Sequence, residues 1–158
     1  MTRNVALSMV ALAAFAALIL PAAIRAGEPS SASFSYAPQK VVFHNNGRGD
    51  DSAKYFKGLL RNITNNIEAV GRGRIDIKVV DHSDGIKLFQ LANTDAELAK
   101  TLDELRAKGV QFLICRNTLK ERNIDWHTLY GVKEADLVPS GIAHLVYLQQ
   151  QGYAYLHP

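Results

Sequence analysis

Cys115 is the only cysteine of the 158-residue chain, and its position is the clearest indication of chemistry in the sequence. It ends the mostly apolar run 110–114 and precedes a polar segment, a pattern that predicts a buried strand turning directly into a helix. The thiol would then lie at a helix N-terminus, which favours thiolate over thiol, with Arg116, Lys120 and Arg122 as nearby cations. The alternative is that Cys115 is a small buried hydrophobe, as most free cysteines are.

Two histidines occupy equivalent places in the predicted topology, since His44 ends the first strand and His82 follows the second. The strand ends of a parallel sheet meet at one edge, so we expect His44, His82 and Cys115 to lie along it. In a 2-1-3 strand order His44 would neighbour both other residues and could accept the thiol proton or stabilise the thiolate. The alternatives are ordinary polar residues at loop entrances, or a metal held by two imidazoles and a thiolate, although no HxxxH or CxxC spacing supports it.

The remaining candidate residues flank the predicted helices. Arg116 and Asn117 open the helix after Cys115, and Ser140 is placed to cap the last helix. With His82 these three form the predicted binding group, and we assign no metal ligand and no cofactor.

The elements that would position these residues alternate regularly between strands and helices. The predicted strands are 40–44, 74–81, 110–115, a weak 135–138 and 154–156. Five helices are predicted between these strands. The first follows a cap on Asp50 or Asp51, the second covers 85–91, and the third runs from a cap on Thr94 or Asp95 to Lys108. The fourth covers 117–122, and the fifth runs from the Ser140 cap to 151. This order predicts an α/β protein with a flavodoxin-like, doubly wound, mostly parallel sheet of about five strands.

The first residues indicate the compartment. Residues 1–26 contain one early cation, Arg3, an apolar stretch and the small-residue segment 22–26, which is typical of a signal peptide cleaved after Ala26. An uncleaved anchor is the alternative, because the apolar stretch is long enough to span a bilayer. We therefore predict a periplasmic or secreted protein, with a flexible linker over 27–39 and one domain over 40–158.

Composition excludes some classes of partner. Without residues 1–26, which hold two arginines and no acid, the charge is close to neutral, so we expect no nucleic-acid partner and no membrane after cleavage. One cysteine permits no disulfide within the chain, and the domain must rely on its apolar core.

Four segments together resemble the DsrE/DsrF-like family over about 40–158, and especially its exported single-domain branch: VVFH at 41–44, GVQFLICRNTL at 109–119, VPSGIAHL at 138–145 and QGYAY at 151–155. The resemblance implies a flavodoxin-like fold and a homo-oligomer, a trimer or hexamer. In sulfur-relay members a cysteine after the third strand carries sulfur as a persulfide, and Cys115 falls on that position. Those members have cytoplasmic partners, so the donor and acceptor do not carry over to an exported relative.

We therefore expect sulfur binding or transfer at Cys115 in sulfur-compound metabolism, with a sulfur donor or acceptor protein as partner. The alternative is a non-catalytic oligomeric module that binds a small ligand, with Cys115 as a structural residue. The sequence leaves open whether the protein is an enzyme.

Overall fold

The computed structural model describes residues 34–47 and 52–158, and it contains a sheet of five parallel strands with helices on both faces. The strands are β1 Gln39–Asn45, β2 Ile75–Asp81, β3 Gln111–Cys115, β4 Leu137–Val138 and β5 Ala154–Leu156. The helices are α1 Ser52–Val70, α2 Lys87–Leu91, α3 Ala96–Ala107, α4 Arg116–Glu121 and α5 Gly141–Gln150. The predicted fold class is confirmed.

The predicted signal peptide at 1–26, most of the predicted linker and the predicted caps Asp50 and Asp51 lie outside the described residues. Within the described ranges, no helix is both long enough and apolar enough to span a membrane.

The strands lie in the order β4-β3-β2-β1-β5, so the predicted 2-1-3 order is wrong. β2 pairs with both β1 and β3, with His44 opposite Val80 and Asp81 opposite Ile114. The three crossovers that connect β1, β2, β3 and β4 all place the next strand on the same side of the previous one. The chain then returns through α5 on the other face and places β5 beside β1. The order therefore reverses between β1 and β5, the position at which open α/β sheets form ligand crevices.

The two faces of the sheet are covered unequally. One face packs against α1, α2 and α3 in the main core, with Phe56, Phe89 and Phe112 among its largest fully buried side chains. The other face carries a small cluster in which Val42 and Val80 pack against Leu145 and Leu148 of α5. The side of the sheet beneath α5 is therefore more thinly covered than the opposite side.

Alternation along each strand decides which face a residue joins, because successive side chains point to opposite sides. In β1, Phe43 lies in the main core whereas Val42 lies under α5, so His44 shares the α5 face and Asn45 shares the face of the main core. The same alternation places Cys115 on the α5 face, because its neighbour Ile114 lies in the main core.

Candidate functional site

Cys115, His82 and His44 lie along the carboxyl-end edge of the sheet on the α5 face. Each stands at or just after the end of its strand, and β2 lies between β1 and β3. The structure therefore brings the three residues to one edge, with His82 between His44 and Cys115.

The sulfur of Cys115 lies at the start of α5. Its Sγ accepts a hydrogen bond of 3.1 Å from the backbone N–H of Gly141, the first residue of that helix. Cys115 is itself the residue before α4, with extended φ and ψ of −71° and 113°, and only 5% of its surface is exposed. An N–H at a helix N-terminus stabilises negative charge on the atom that it faces. The N-terminus of α5 thus places a backbone donor directly on the sulfur.

Gly141 is the point at which β2, β3 and α5 meet. A Cβ on Gly141 would lie 3.1 Å from Cβ of His82 and 3.2 Å from Cβ of Cys115, tighter than most real contacts. The predicted binding residue Ser140 caps α5, since its hydroxyl accepts a hydrogen bond of 3.4 Å from the N–H of Ala143. A glycine after this cap lets the helix amide approach both side chains closely.

The two histidines bond directly to each other. Nε2 of His44 lies 2.6 Å from Nε2 of His82, and Nδ1 of His44 lies 2.6 Å from the hydroxyl of Tyr155. At the other end, Nδ1 of His82 lies 3.0 Å from the hydroxyl of Ser83. A neutral imidazole has one donor and one acceptor nitrogen, so the hydrogen bonds in this chain can all point in either direction. All four side chains have partners in both arrangements.

The surroundings keep both imidazoles neutral near pH 7. Burial lowers the pKa of His44 to about 4, with further lowering from the charges of His82 and His157. Burial also lowers the pKa of His82, again with a contribution from His157. The ring of His157 stacks on that of His44 with centroids 4.6 Å apart, just beyond β5.

Sequence reasoning did not identify Tyr155 or His157 as part of this site. Tyr155 lies within β5, which pairs with β1, and His157 directly follows that strand. The available signal was that β5, too, must end at the same edge of a parallel sheet.

A second polar pair joins the same two strands on the opposite face. Nδ2 of Asn45 donates to Oδ1 of Asp81 at 2.7 Å and to the backbone oxygen of Gly85 at 3.3 Å. Asp81 is completely buried, and this burial raises its pKa well above the usual range of a carboxyl group. Its Oδ2 atom has no hydrogen-bond partner among the described residues. The pair fixes the strand ends to the turn at 83–86.

The predicted binding residues Arg116 and Asn117 lie apart from the histidines. Both are exposed and line an open cleft of about 600 Å³ with Trp126 and Leu137, and Arg116 lies 3.9 Å from Glu134. A larger groove of about 690 Å³ runs between α1 and β5, on the face away from Cys115. In residues 34–47 and 52–158, no three or more His, Cys, Asp or Glu side chains are placed to hold a metal ion.

Comparisons with known proteins agree with this architecture. A family model described as the DsrE/DsrF-like family matches residues 39–158, a range that begins at β1 and includes all five strands. A solved structure of the protein of unknown function MTH1491 from Methanobacterium thermoautotrophicum is similar, with a TM-score of 0.62 and 32% identity. That similarity covers 76% of this chain and 99% of the other. No curated protein matches the sequence.

Proposed function

The chain belongs to the DsrE/DsrF-like family, whose members point to a sulfur-related function in general, and from this premise we propose that it binds and transfers sulfur through Cys115. One observation carries the proposal: the Gly141 N–H, at the start of α5, donates to Sγ of Cys115. A sulfur carrier needs a thiol that becomes a nucleophile and then retains a sulfur anion. A helix amide directed at the sulfur supports both states.

The transfer step needs no oxidant and no cofactor. The Cys115 thiolate attacks the outer sulfur of a donor persulfide, a new S–S bond forms at Cys115, and the donor's S–S bond breaks. The donor leaves as a thiolate, so Cys115 gains one sulfur atom with no net oxidation or reduction. Transfer to an acceptor thiolate is the same exchange in reverse.

The burial of Cys115 supports the second candidate function, a non-catalytic module with a structural cysteine. Only 5% of the residue is exposed, and the open cleft beside Arg116 and Trp126 offers a separate place for a small ligand. The two functions differ in whether a reagent reaches the thiol while the protein is folded.

Alkylation of native protein with iodoacetamide separates these functions. If Cys115 carries sulfur, we expect the folded protein to be alkylated without denaturant, because a working thiol must open to its donor more readily than the whole domain unfolds. Alkylation that occurs only after unfolding would support the structural cysteine and contradict the sulfur carrier. Cys115→Ser, which removes the only thiol, is the control for reaction elsewhere.

We also propose that the protein works outside the cytoplasm as a homo-oligomer. The pattern of residues 1–26 supports export, and the outer face of α5 supports assembly because Ile142, Val146 and Tyr147 are each more than half exposed. Light scattering at micromolar concentration should give the mass of several subunits, and Val146→Asp should lower it. A wild-type mass of one subunit would contradict the assembly.

A further inference from the structure

We propose that His82 is a positioning residue for the sulfur site, and that its side chain holds Gly141, the first residue of α5, with its N–H on Sγ of Cys115. This inference rests on the proposed function, because it assigns what keeps that hydrogen bond in place. His82 acts through the backbone of Gly141 and not on the sulfur directly.

The side chain of His82 packs against Gly141. The position that a Cβ would take on Gly141 lies 3.1 Å from Cβ of His82 and 3.4 Å from Cδ2 of its ring. The same position lies 3.2 Å from Cβ of Cys115, and Gly141 is buried. The start of α5 is therefore in contact with both side chains, and Gly141 cannot move toward either of them.

Two hydrogen bonds fix the orientation of the His82 ring. Its Nδ1 lies 3.0 Å from the hydroxyl of Ser83, and its Nε2 lies 2.6 Å from Nε2 of His44. Ser83 is in turn held to α4, because its backbone N–H donates to the hydroxyl of Thr118 at 3.0 Å. A ring that is bonded at both nitrogens cannot turn without losing a bond, so Cδ2 stays against Gly141.

The first turn of α5 needs such a contact because the buried cluster under this helix begins further along it. Leu145 and Leu148 pack against Val42 and Val80, and Leu145 is one turn beyond Gly141. The N–H of Gly141 also has no acceptor within the helix, since the first four amides of a helix lack one. Its hydrogen bond to Sγ therefore depends on what holds the helix start in place.

A neutral imidazole suits this position. The N-terminus of a helix carries partial positive charge, which disfavours a cation beside it. Burial lowers the pKa of His82, with a further contribution from the charge of His157, so the ring is neutral near pH 7. His82 can therefore pack against the start of α5 without electrostatic repulsion.

The first test compares rates of sulfur uptake from sodium tetrasulfide by the full chain at pH 7. A tetrasulfide dianion gives one sulfur atom to the Cys115 thiolate and leaves as a trisulfide dianion. We expect His82→Ala to lower the rate by about three- to tenfold, within the range of coupling between contacting residues. His82→Asn should keep most of the rate, because its amide places atoms where the ring has Nδ1 and Cδ2. His144→Ala, at a half-buried histidine on α5, is the matched control and should react like the wild type.

Hydrogen exchange of the Gly141 amide, measured by NMR, separates positioning from a general loss of stability. In His82→Ala this amide should exchange severalfold faster, whereas the amides of Leu145 and Leu148 should keep their wild-type rates. His82→Asn should restore slow exchange at Gly141. A wild-type rate of exchange at Gly141 in His82→Ala would overturn the positioning role, and so would equal acceleration along the whole of α5.

The exchange measurement also separates this role from the proposed function, because it involves no sulfur chemistry. If the wild type takes up no sulfur, the proposed function fails, and exchange at Gly141 still decides whether His82 holds the helix start. If Gly141 exchanges faster in His82→Ala but sulfur uptake is unchanged, His82 does not position the site for the reaction and the proposal is overturned. Should His82→Ala not fold, His44→Ala tests the same contact, since it removes one of the two bonds that fix the ring. Exchange at Gly141 should then rise, and a wild-type rate would overturn the proposal.

Discussion

Two polar pairs join the ends of β1 and β2, on opposite faces of the same sheet edge. Asn45 and Asp81 are fully buried under the three-helix face, whereas their sequence neighbours His44 and His82 lie on the face covered by α5. The first pair contacts backbone and turn, and the second continues through Tyr155 to the surface. One residue of displacement along a strand therefore separates a fully buried pair from a chain of hydrogen bonds that reaches the exposed Tyr155.

The difference follows from the thickness of cover on each face. Three helices exclude water from Asp81, and this burial raises the pKa of its carboxyl group, which accepts the hydrogen bond that joins the strand ends. The single helix α5 leaves the edge of the other face open, and its N-terminus reaches the sulfur of Cys115. Chemistry is therefore expected on the thinly covered face, and stability on the other.

The largest change in stability is expected from the buried pair of Asn45 and Asp81. Asn45→Ala removes the donor to Asp81 and leaves a buried carboxyl oxygen unpaired, which should lower the free energy of unfolding by about 1–3 kcal/mol. Urea denaturation measures this loss. Asn46→Ala, one residue along and less buried, should change stability by less than about 0.5 kcal/mol. Equal losses in the two variants would remove the distinction between the faces.

Asp81 and His44 should make stability depend on pH in opposite directions. The larger change in the free energy of unfolding is expected from Asp81, which is fully buried. Its pKa is raised in the folded protein, so its contribution is complete below the unfolded pKa of about 4 and is lost as the pH rises toward the folded pKa. Asp81→Asn keeps the shape and cannot ionise. The free energy of unfolding of Asp81→Asn minus that of the wild type should therefore be larger at pH 8 than at pH 5. Urea denaturation at the two pH values measures it. A difference in stability that stays constant with pH would contradict a raised pKa at Asp81.

The histidine face should lose stability in acid. The pKa of His44 is depressed to about 4, so its contribution is present above the unfolded value of about 6.5 and is lost as the pH falls toward 4. The loss between pH 7 and pH 5 should be smaller in His44→Ala than in the wild type. Thermal unfolding across this range measures it, with His127→Ala, an exposed histidine, as the control. An unchanged acid limb in His44→Ala would show that His44 is not buried as described.

The smallest change in stability is expected at Gly141, the first residue of α5, whose N–H bonds the sulfur of Cys115. Gly141→Ala places a methyl group 3.1 to 3.2 Å from His82 and Cys115, so these neighbours must move by a few tenths of an ångström. We expect a loss of about 1 kcal/mol in stability, the low end of the cost of overpacking. The rate of sulfur uptake should nevertheless fall severalfold, because the helix amide shifts relative to Sγ. A large loss of stability with no loss of rate would reverse the assignment.

The local features of the site could be predicted from the sequence. The turn from β3 into α4 at Cys115, the Ser140 cap of α5 and the short strand 154–156 are all confirmed, because each depends on nearby residues. The strand order could not be predicted, since the same alternation of strands and helices is compatible with crossovers that step in either direction.

The wrong strand order also gave the wrong neighbours for Cys115. In the 2-1-3 order His44 would have touched Cys115 directly, whereas in the observed order His82 lies between them. The roles of Tyr155 and His157 were hidden for the same reason, because they depend on β5 pairing with β1. The Asn45–Asp81 pair was missed because both residues end apolar runs and their burial depends on helices distant in sequence.

The central claim is that Cys115 carries sulfur, and mass spectrometry of the intact protein and of its Cys115 peptide tests it most directly. After treatment with sodium tetrasulfide and removal of the excess, the wild type should gain the mass of one sulfur atom on the Cys115 peptide. This gain should disappear on treatment with a reducing thiol, and Cys115→Ser should show none while keeping the fold. A folded wild-type protein that gains no sulfur at Cys115 would contradict the account.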